Sequence, residues 1–270
     1  MKARRGYAGK TAVVTGAGSG IGRALALNLA ERGARLALSD VQGDAVQETV
    51  RQCQEQGAQA RAWKLDVSDR EAVLAHAEEV VEHFGGVDLV VNNAGVSVTG
   101  RVAELTDADH RWIMGINYFG MVHGTQAFLP HLAASGDGQL ANVSSVFGLM
   151  AFPKQAAYNG SKFAIRGFTE ALRMELLADQ VPVQVSLVHP GGVRSNIAEN
   201  ARVTASENKM ESAKAFNKIA MTTPQGAARS IMRGLEREKP RILVGPDSRV
   251  IAALPRLLGA RYQGLVHRLG

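Results

Sequence analysis

Thr11-Ala-Val-Val-Thr-Gly-Ala-Gly-Ser-Gly-Ile-Gly22 reads as a short apolar strand that runs into a glycine-rich turn and then a helix. Glycines at 16, 18, 20 and 22 let the backbone approach a pyrophosphate. The free N–H groups at a helix N-terminus favour the negative charge of that group. Gly16, Ser19, Gly20, Ile21 and Gly22 are therefore candidate phosphate-loop residues. The spacing is Gly-x-x-x-Gly-x-Gly rather than the common Gly-x-Gly-x-x-Gly, so the loop by itself also reads as a tight turn without a ligand.

Working outward, Ile21, Leu25 and Leu29 follow helical spacing, and a second strand then ends at Asp40, 18 residues after Gly22. An acid there can accept hydrogen bonds from both ribose hydroxyls of NAD, and it repels the 2′-phosphate of NADP. Neither Ala17, Gly18 and Ser19 nor Val41 and Gln42 supplies a compensating cation, so NAD is expected over NADP. The competing reading is that Asp40 simply begins the next turn.

Strand-like runs recur at 11–15, 35–39, 60–65, 87–92, 139–143, 183–188 and 241–244, separated by helical patterns such as Val73, Ala77, Val80, Val81 and Phe84. Alternation of this kind predicts an α/β fold, a seven-stranded parallel sheet with helices over it. Ser68-Asp-Arg-Glu71 has capping-box spacing, and Thr223-Pro224 reads as a cap followed by proline at the first helical position. With no repeat or linker, one domain over 1–270 is the economical organisation. The polar, weakly periodic segment 194–223 reads as an irregular substrate lid.

The chain has 270 residues, 46% of them apolar and 21% charged, with a net charge of +6. That charge fits an acidic partner or an arginine-rich background. No run of five like charges or aromatic-interleaved basic stripe supports nucleic-acid binding, and no zinc-ligand spacing suggests a metal. The single Cys53 suits a reducing cytoplasm, and the basic N-terminus lacks a signal-length apolar stretch. Residues 112–136 carry no Asp, Glu, Lys or Arg, yet Asn117, His123, Gln126, three glycines before Pro130 and the proline itself make a buried helix the better reading than a membrane span.

Tyr158 and Lys162 are four apart, so on a helix they share one face. A phenol of pKa about 10 is a poor base at neutral pH, but a nearby cation favours phenolate. The pair is a candidate acid/base device.

With Thr15 to Gly22, Asn92-Asn-Ala-Gly95, Asn117, Ser145, Tyr158-Asn-Gly-Ser-Lys162 and Pro190-Gly191 in this order, the chain resembles the short-chain dehydrogenase/reductase family over roughly residues 8 to 245. The resemblance implies a Rossmann-type, doubly wound domain with helices on both faces. It implies that Tyr158 exchanges a proton with the substrate oxygen, while Lys162 binds the nicotinamide ribose and lowers the tyrosine pKa. Ser145, 13 residues before Tyr158, would orient the substrate oxygen in preference to Ser144, and Asn117 would hold a water in a proton relay. By the same resemblance Asp66 and Val67 border the adenine, Asn93 the cofactor, and Val193 with Ser195 the nicotinamide carboxamide. Asn93 reads equally well as a strand-end hydrogen bonder. A homo-oligomer, dimer or tetramer, is also implied.

Val96, Ser97, Val98, residues 147–152 and the lid from Arg194 onward surround this site and are mostly apolar, which suggests a hydrophobic small-molecule substrate. Beyond Asp247 the tail 248–270 has four arginines and no acid. It is expected to pack over the pocket or against another subunit, in preference to peripheral contact with an anionic membrane. The expected activity is hydride transfer between NAD(H) and a secondary alcohol or ketone. A 3-oxoacyl thioester reductase and a catalytically silent nucleotide-binding scaffold are the alternatives.

Overall fold

In the computed structural model, which describes residues 5–267, seven parallel strands form one sheet in the order β3-β2-β1-β4-β6-β7-β9. They are β1 (Thr11–Thr15), β2 (Arg35–Asp40), β3 (Ala60–Lys64), β4 (Leu89–Asn92), β6 (Gly138–Val143), β7 (Val183–Pro190) and β9 (Arg241–Val244). A separate parallel pair joins β5 (Val98–Thr99) to β8 (Arg202–Val203). The helices are α1 (Gly20–Ala30), α2 (Gly43–Glu55), α3 (Arg70–Phe84), α4 (Asp107–Met114), α5 (Gly120–Ala134), α6 (Ala156–Ala178), α7 (Lys209–Ile219), α8 (Pro224–Leu235), α9 (Pro246–Leu258) and α10 (Tyr262–Val266). Residues 1–4 of the basic N-terminus and 268–270 of the tail lie outside the described residues.

Alternation along β1 divides the core. Ala12 and Val14 face one layer with Leu25, Leu29, Ile231 and Leu235 of α1 and α8, whereas Val13 faces the other with Val80, Phe128 and Leu172 of α3, α5 and α6. Both faces of the sheet are thus buried, as parallel sheets require. Strand order reverses between β1 and β4, and in such sheets ligands bind in the crevice beyond the strands' C-terminal ends.

Strand boundaries shift where hydrogen bonding overrides the apolar pattern. β4 starts at Leu89 rather than 87 because the Asp88 carboxylate accepts from the Thr11 N–H (2.8 Å) and Lys10 Nζ (2.7 Å). β7 runs on to Pro190, where it pairs with Val244 of β9. The expected box Ser68-Asp-Arg-Glu71 does not form. Asp66 takes both the Ser68 N–H and hydroxyl, and Asp69 becomes the cap, accepting from the Ala72 N–H at 3.1 Å. Thr223 does cap α8, accepting from the Gly226 N–H at 3.1 Å.

The uncharged stretch 112–136 is not one helix. α4 gives way at Gly115–Phe119 to a π-helical turn before α5 continues through Pro130. No helix among the described residues is long and apolar enough to cross a membrane. The segment 194–223 is more regular than its polar sequence suggests: it contains α7 and β8, and a Val193–Thr222 bridge closes its base. Further clamps tie it down. A Lys154–Glu207 ion pair spans 2.8 Å, and a Cβ on Gly100 would fall 2.1 Å from Thr204 Cγ2.

Two buried histidines set an acid limit to stability. His76 packs edge-on against Trp63 (5.0 Å between centroids) and Phe128 (5.9 Å), with neither ring nitrogen bonded among the described residues. Burial pulls both His76 and His189 down to about 4 from 6.5. The unfolded chain therefore binds more protons between those values, so stability is complete above pH 6.5 and falls as pH drops towards 4. Each histidine accounts for about 3 kcal/mol across that window. Thermal unfolding followed from pH 7 to 4.5 should show the midpoint falling, and His76→Leu should flatten the fall.

Candidate active site

The glycine loop is held shut by steric demand and by one asparagine. Gly16 (φ 65°) lies where a Cβ would come within 2.8 Å of Ala94 Cα, and a Cβ on Gly22 would sit 2.0 Å from the Gly16 carbonyl oxygen. Asn93 Nδ2 donates to the carbonyls of Thr15 (3.0 Å) and Gly16 (3.2 Å), while Thr15 Oγ1 accepts from the N–H groups of Asn93 and Ala94. The amide of Asn93 is thus committed to shaping the loop, the strand-end role left open by the sequence. No side chain caps α1 at Ser19, so the N–H groups of Gly20, Ile21 and Gly22 in its first turn keep no capping partner. A close-approach cradle at a helix N-terminus fits a pyrophosphate.

Asp40 Oδ2 accepts from the Gly18 N–H at 2.9 Å, and Oδ1 from the Gln42 N–H at 2.9 Å. The acid therefore does shape its own turn, and each oxygen still has a lone pair for a ribose hydroxyl. Beside it opens a groove of about 520 Å³ lined by residues 41–45 and Lys64. One cation nearby was not anticipated from the loop. Arg23, in the first turn of α1, sends Nη2 to the carbonyls of Gly18 and Ala45, and Nε to Thr49 Oγ1. These contacts draw it under the loop, away from the role of a free phosphate binder. Asp66 is exposed and bonded to Ser68, and Val67 is buried where a Cβ on Gly120 would lie 2.6 Å from its Cγ2.

At the other end of the crevice, β6 delivers Ser144 and Ser145 to opposite tasks. Ser144 Oγ donates to the Lys162 carbonyl at 2.8 Å and so fastens α6 to the sheet. Ser145 Oγ accepts from the Phe147 N–H at 3.1 Å, and its hydroxyl acts on the Tyr158 phenol. Its own carbonyl accepts from His189 Nδ1 at 2.7 Å. Lys162 Nζ donates to the Val143 carbonyl at 3.1 Å and stands 5.6 Å from the Tyr158 ring centre. A Cβ on Gly95 would lie 3.4 Å from that ammonium and 3.2 Å from Asn117 Oδ1. Asn117, in the π-helical turn, exchanges hydrogen bonds with the Val96 main chain and donates to Ser161 Oγ.

The expectation that Lys162 lowers the tyrosine is corrected for the protein alone. Burial pushes Tyr158 up to about 12, with the Ser145 hydroxyl acting in the opposite sense, and pulls Lys162 down to about 8. Both groups lose solvation, and the ammonium lies beside the ring rather than on the phenol oxygen.

Asn159 was missed from the sequence. It donates to the carbonyls of Phe147 (2.8 Å) and Met150 (3.0 Å) and accepts from the Phe152 N–H (3.1 Å), which fixes the loop above the site. Its position on the inward face of α6, one residue after Tyr158, was the available signal. The tail also reaches this loop: Tyr262 Oη accepts from the Ala151 N–H at 3.1 Å, and Tyr262, Val266, Ile251 and Leu254 pack with Met150 and Phe152. Phe147 stacks on Phe152 and meets Tyr158 edge-on, so the walls around the phenol are apolar. Val193 is buried, and Ser195 closes towards the glycine loop, where a Cβ on Gly20 would lie 3.1 Å from Ser195 Cβ. Arg194 is tied to the Ala220 carbonyl through Nε. A cavity of about 390 Å³ opens between Arg194, Ser195, Asn196, Glu199 and Asn217.

Residues 10–206 match the family model described as short chain dehydrogenase. SadH of Mycobacterium tuberculosis, named an oxidoreductase, is 50% identical over 261 residues, covering 96% of this chain and 95% of that one. Mouse estradiol 17-beta-dehydrogenase 11 is 31% identical, with 99% and 86% covered. Among solved structures, a short chain dehydrogenase/reductase from Burkholderia phymatum in complex with NAD superposes with a TM-score of 0.89 at 30% identity, over 97% of this chain and 96% of that one.

Proposed function

Because this chain belongs to the short-chain dehydrogenase family and is an oxidoreductase, we propose that it interconverts a hydrophobic secondary alcohol and its ketone with NAD(H). The observation that carries the reading is the convergence of Ser145 on the buried Tyr158 phenol, with Lys162 5.6 Å from the same ring centre and the glycine cradle across the crevice. The apolar walls at Phe147, Phe152 and Tyr158 support a hydrophobic substrate, as does the likeness to a mouse enzyme named for estradiol.

In the oxidative direction Tyr158 takes the proton of the substrate hydroxyl, and Ser145 orients that oxygen. Lys162 would bind the nicotinamide ribose and, with Asn117 across Gly95, link the tyrosine to solvent. Gly16 to Gly22 would hold the pyrophosphate, Asp40 the adenosine ribose, and Val193 with Ser195 the nicotinamide end. When bound, the nicotinamide exchanges a hydride with the substrate carbon, and its oxidised form carries the positive charge that offsets the burial cost of phenolate.

Asp40 supports NAD over NADP, since a 2′-phosphate would meet a carboxylate already holding the loop. A turnover screen of secondary alcohols and ketones, run with both cofactors, tests substrate and cofactor together. kcat/KM with NAD should exceed that with NADP by on the order of 100-fold, the effect of one close like-charge contact. Equal use of the two would contradict the role given to Asp40.

A further inference from the structure

The turn that follows β7 is held by a residue from the start of α9. Asp247 Oδ2 accepts from the Gly192 N–H at 2.7 Å. The carboxylate lies flat against two glycines: a Cβ on Gly191 would meet its oxygens at 2.3 and 2.4 Å, and one on Gly245 would meet Oδ1 at 2.6 Å. Oδ1 is buried and has no hydrogen-bond partner among the described residues. Keeping a buried carboxylate oxygen unpaired is costly, so packing alone does not account for an acid here.

What the carboxylate fixes is the peptide that leads into the nicotinamide end of the proposed cofactor site. The Gly192 carbonyl accepts from the Thr222 N–H at 3.1 Å, and the Gly191 N–H donates to the Val244 carbonyl at 2.9 Å. With Asp247 on its N–H, Gly192 is therefore engaged at both of its main-chain polar groups. Val193, 3% exposed, follows directly, and Ser195 faces the glycine loop two residues later. A glycine-glycine turn is otherwise the most mobile backbone a chain can place there.

We propose that Asp247 is a positioning residue for the nicotinamide half of the cofactor, holding the Gly191–Gly192 turn so that Val193 and Ser195 meet it. The assignment rests on the reading of the site given above. It places the first turn of α9, beyond the stretch matched by the family model, in the architecture of the cofactor site.

NADH and ADP-ribose, which lacks the nicotinamide, are titrated separately into the full-length protein by calorimetry. Asp247→Ala should weaken NADH binding by about tenfold or more, as loss of a charged acceptor for a part-buried N–H implies, and leave ADP-ribose within about twofold. Asp247→Asn, whose amide oxygen can accept from the same Gly192 N–H, should keep NADH binding close to the wild type. Gly191→Ala, which displaces the carboxylate from the other side, should reproduce the selective loss without removing the acid. NADH binding unchanged in Asp247→Ala, or NADH and ADP-ribose weakened equally, would overturn the assignment. A wild-type protein for which the nicotinamide half adds nothing to ADP-ribose affinity would overturn both the assignment and the cofactor reading beneath it.

Discussion

Tyr158→Phe should lower turnover by about 100- to 10,000-fold, the range for removing a general acid/base, while NADH affinity stays near the wild-type value. The expected loss is large because, among the described residues, no other side chain near the phenol is placed to replace it. Ser145 Oγ is already accepting from the Phe147 N–H, and Lys162 Nζ is directed at the Val143 carbonyl. The phenyl ring left behind keeps its edge contact with Phe147, so the apolar wall survives. Loss of the buried hydroxyl costs about 1 kcal/mol of stability at most, a few degrees in a chain this size. Steady-state kinetics read together with calorimetric NADH binding separate the two effects. Near-normal turnover in this variant would remove Tyr158 from the mechanism.

The second large effect is at the other end of the cofactor site. Gly22→Ala places a methyl 2.0 Å from the Gly16 carbonyl oxygen and 2.7 Å from Asn93 Nδ2. Neither can move cheaply: Gly16 is main chain at a positive φ, and Asn93 is fixed by two carbonyls. The loop must open, and the cradle opens with it. Overpacking of this kind costs about 1–3 kcal/mol. NADH affinity should fall by on the order of 100-fold or more, because the main-chain donors would no longer converge on one pyrophosphate. A variant that binds NADH like the wild type would mean that the turn is a structural feature only.

The parallel sheet is legible in the sequence because buried strands of this class are short, nearly continuous apolar runs, and 11–15, 35–39 and 139–143 each have that form. Their ends are less legible, since Asp88 and Pro190 fix them through pairing with residues distant in the chain. The glycine loop can be read from four residues in a row of eight. The grouping of Ser145 with Tyr158 depends on a strand and a helix meeting, and it is accessible only through the family resemblance. Asp247 and Tyr262 illustrate what neither route provides: each acts on main chain more than 50 residues away, on Gly192 and Ala151, and nothing local in 246–262 marks them. The regular elements within 194–223 escape the sequence for a related reason. A two-residue strand such as Arg202–Val203 has no periodicity of its own and exists because Val98–Thr99 lies beside it.

The tyrosine and lysine values make the site's balance explicit. With Tyr158 at about 12 and Lys162 at about 8, burial leaves the protein alone with a protonated phenol, the form suited to donating a proton in the reductive direction. Phenolate for the oxidative direction needs added positive charge, which oxidised nicotinamide carries.

Hydride transfer to a carbonyl next to Tyr158 is the central claim, and an isotope experiment tests it most directly. Wild-type protein and Tyr158→Phe are incubated with a panel of hydrophobic ketones and NADH deuterated at C4, and the products are read by mass spectrometry. The account predicts an alcohol from the wild-type protein carrying a single deuterium at the carbinol carbon, with formation suppressed in Tyr158→Phe. Saturating NADH binding by the wild type with no deuterium in any alcohol, or equal labelling in both proteins, would contradict it.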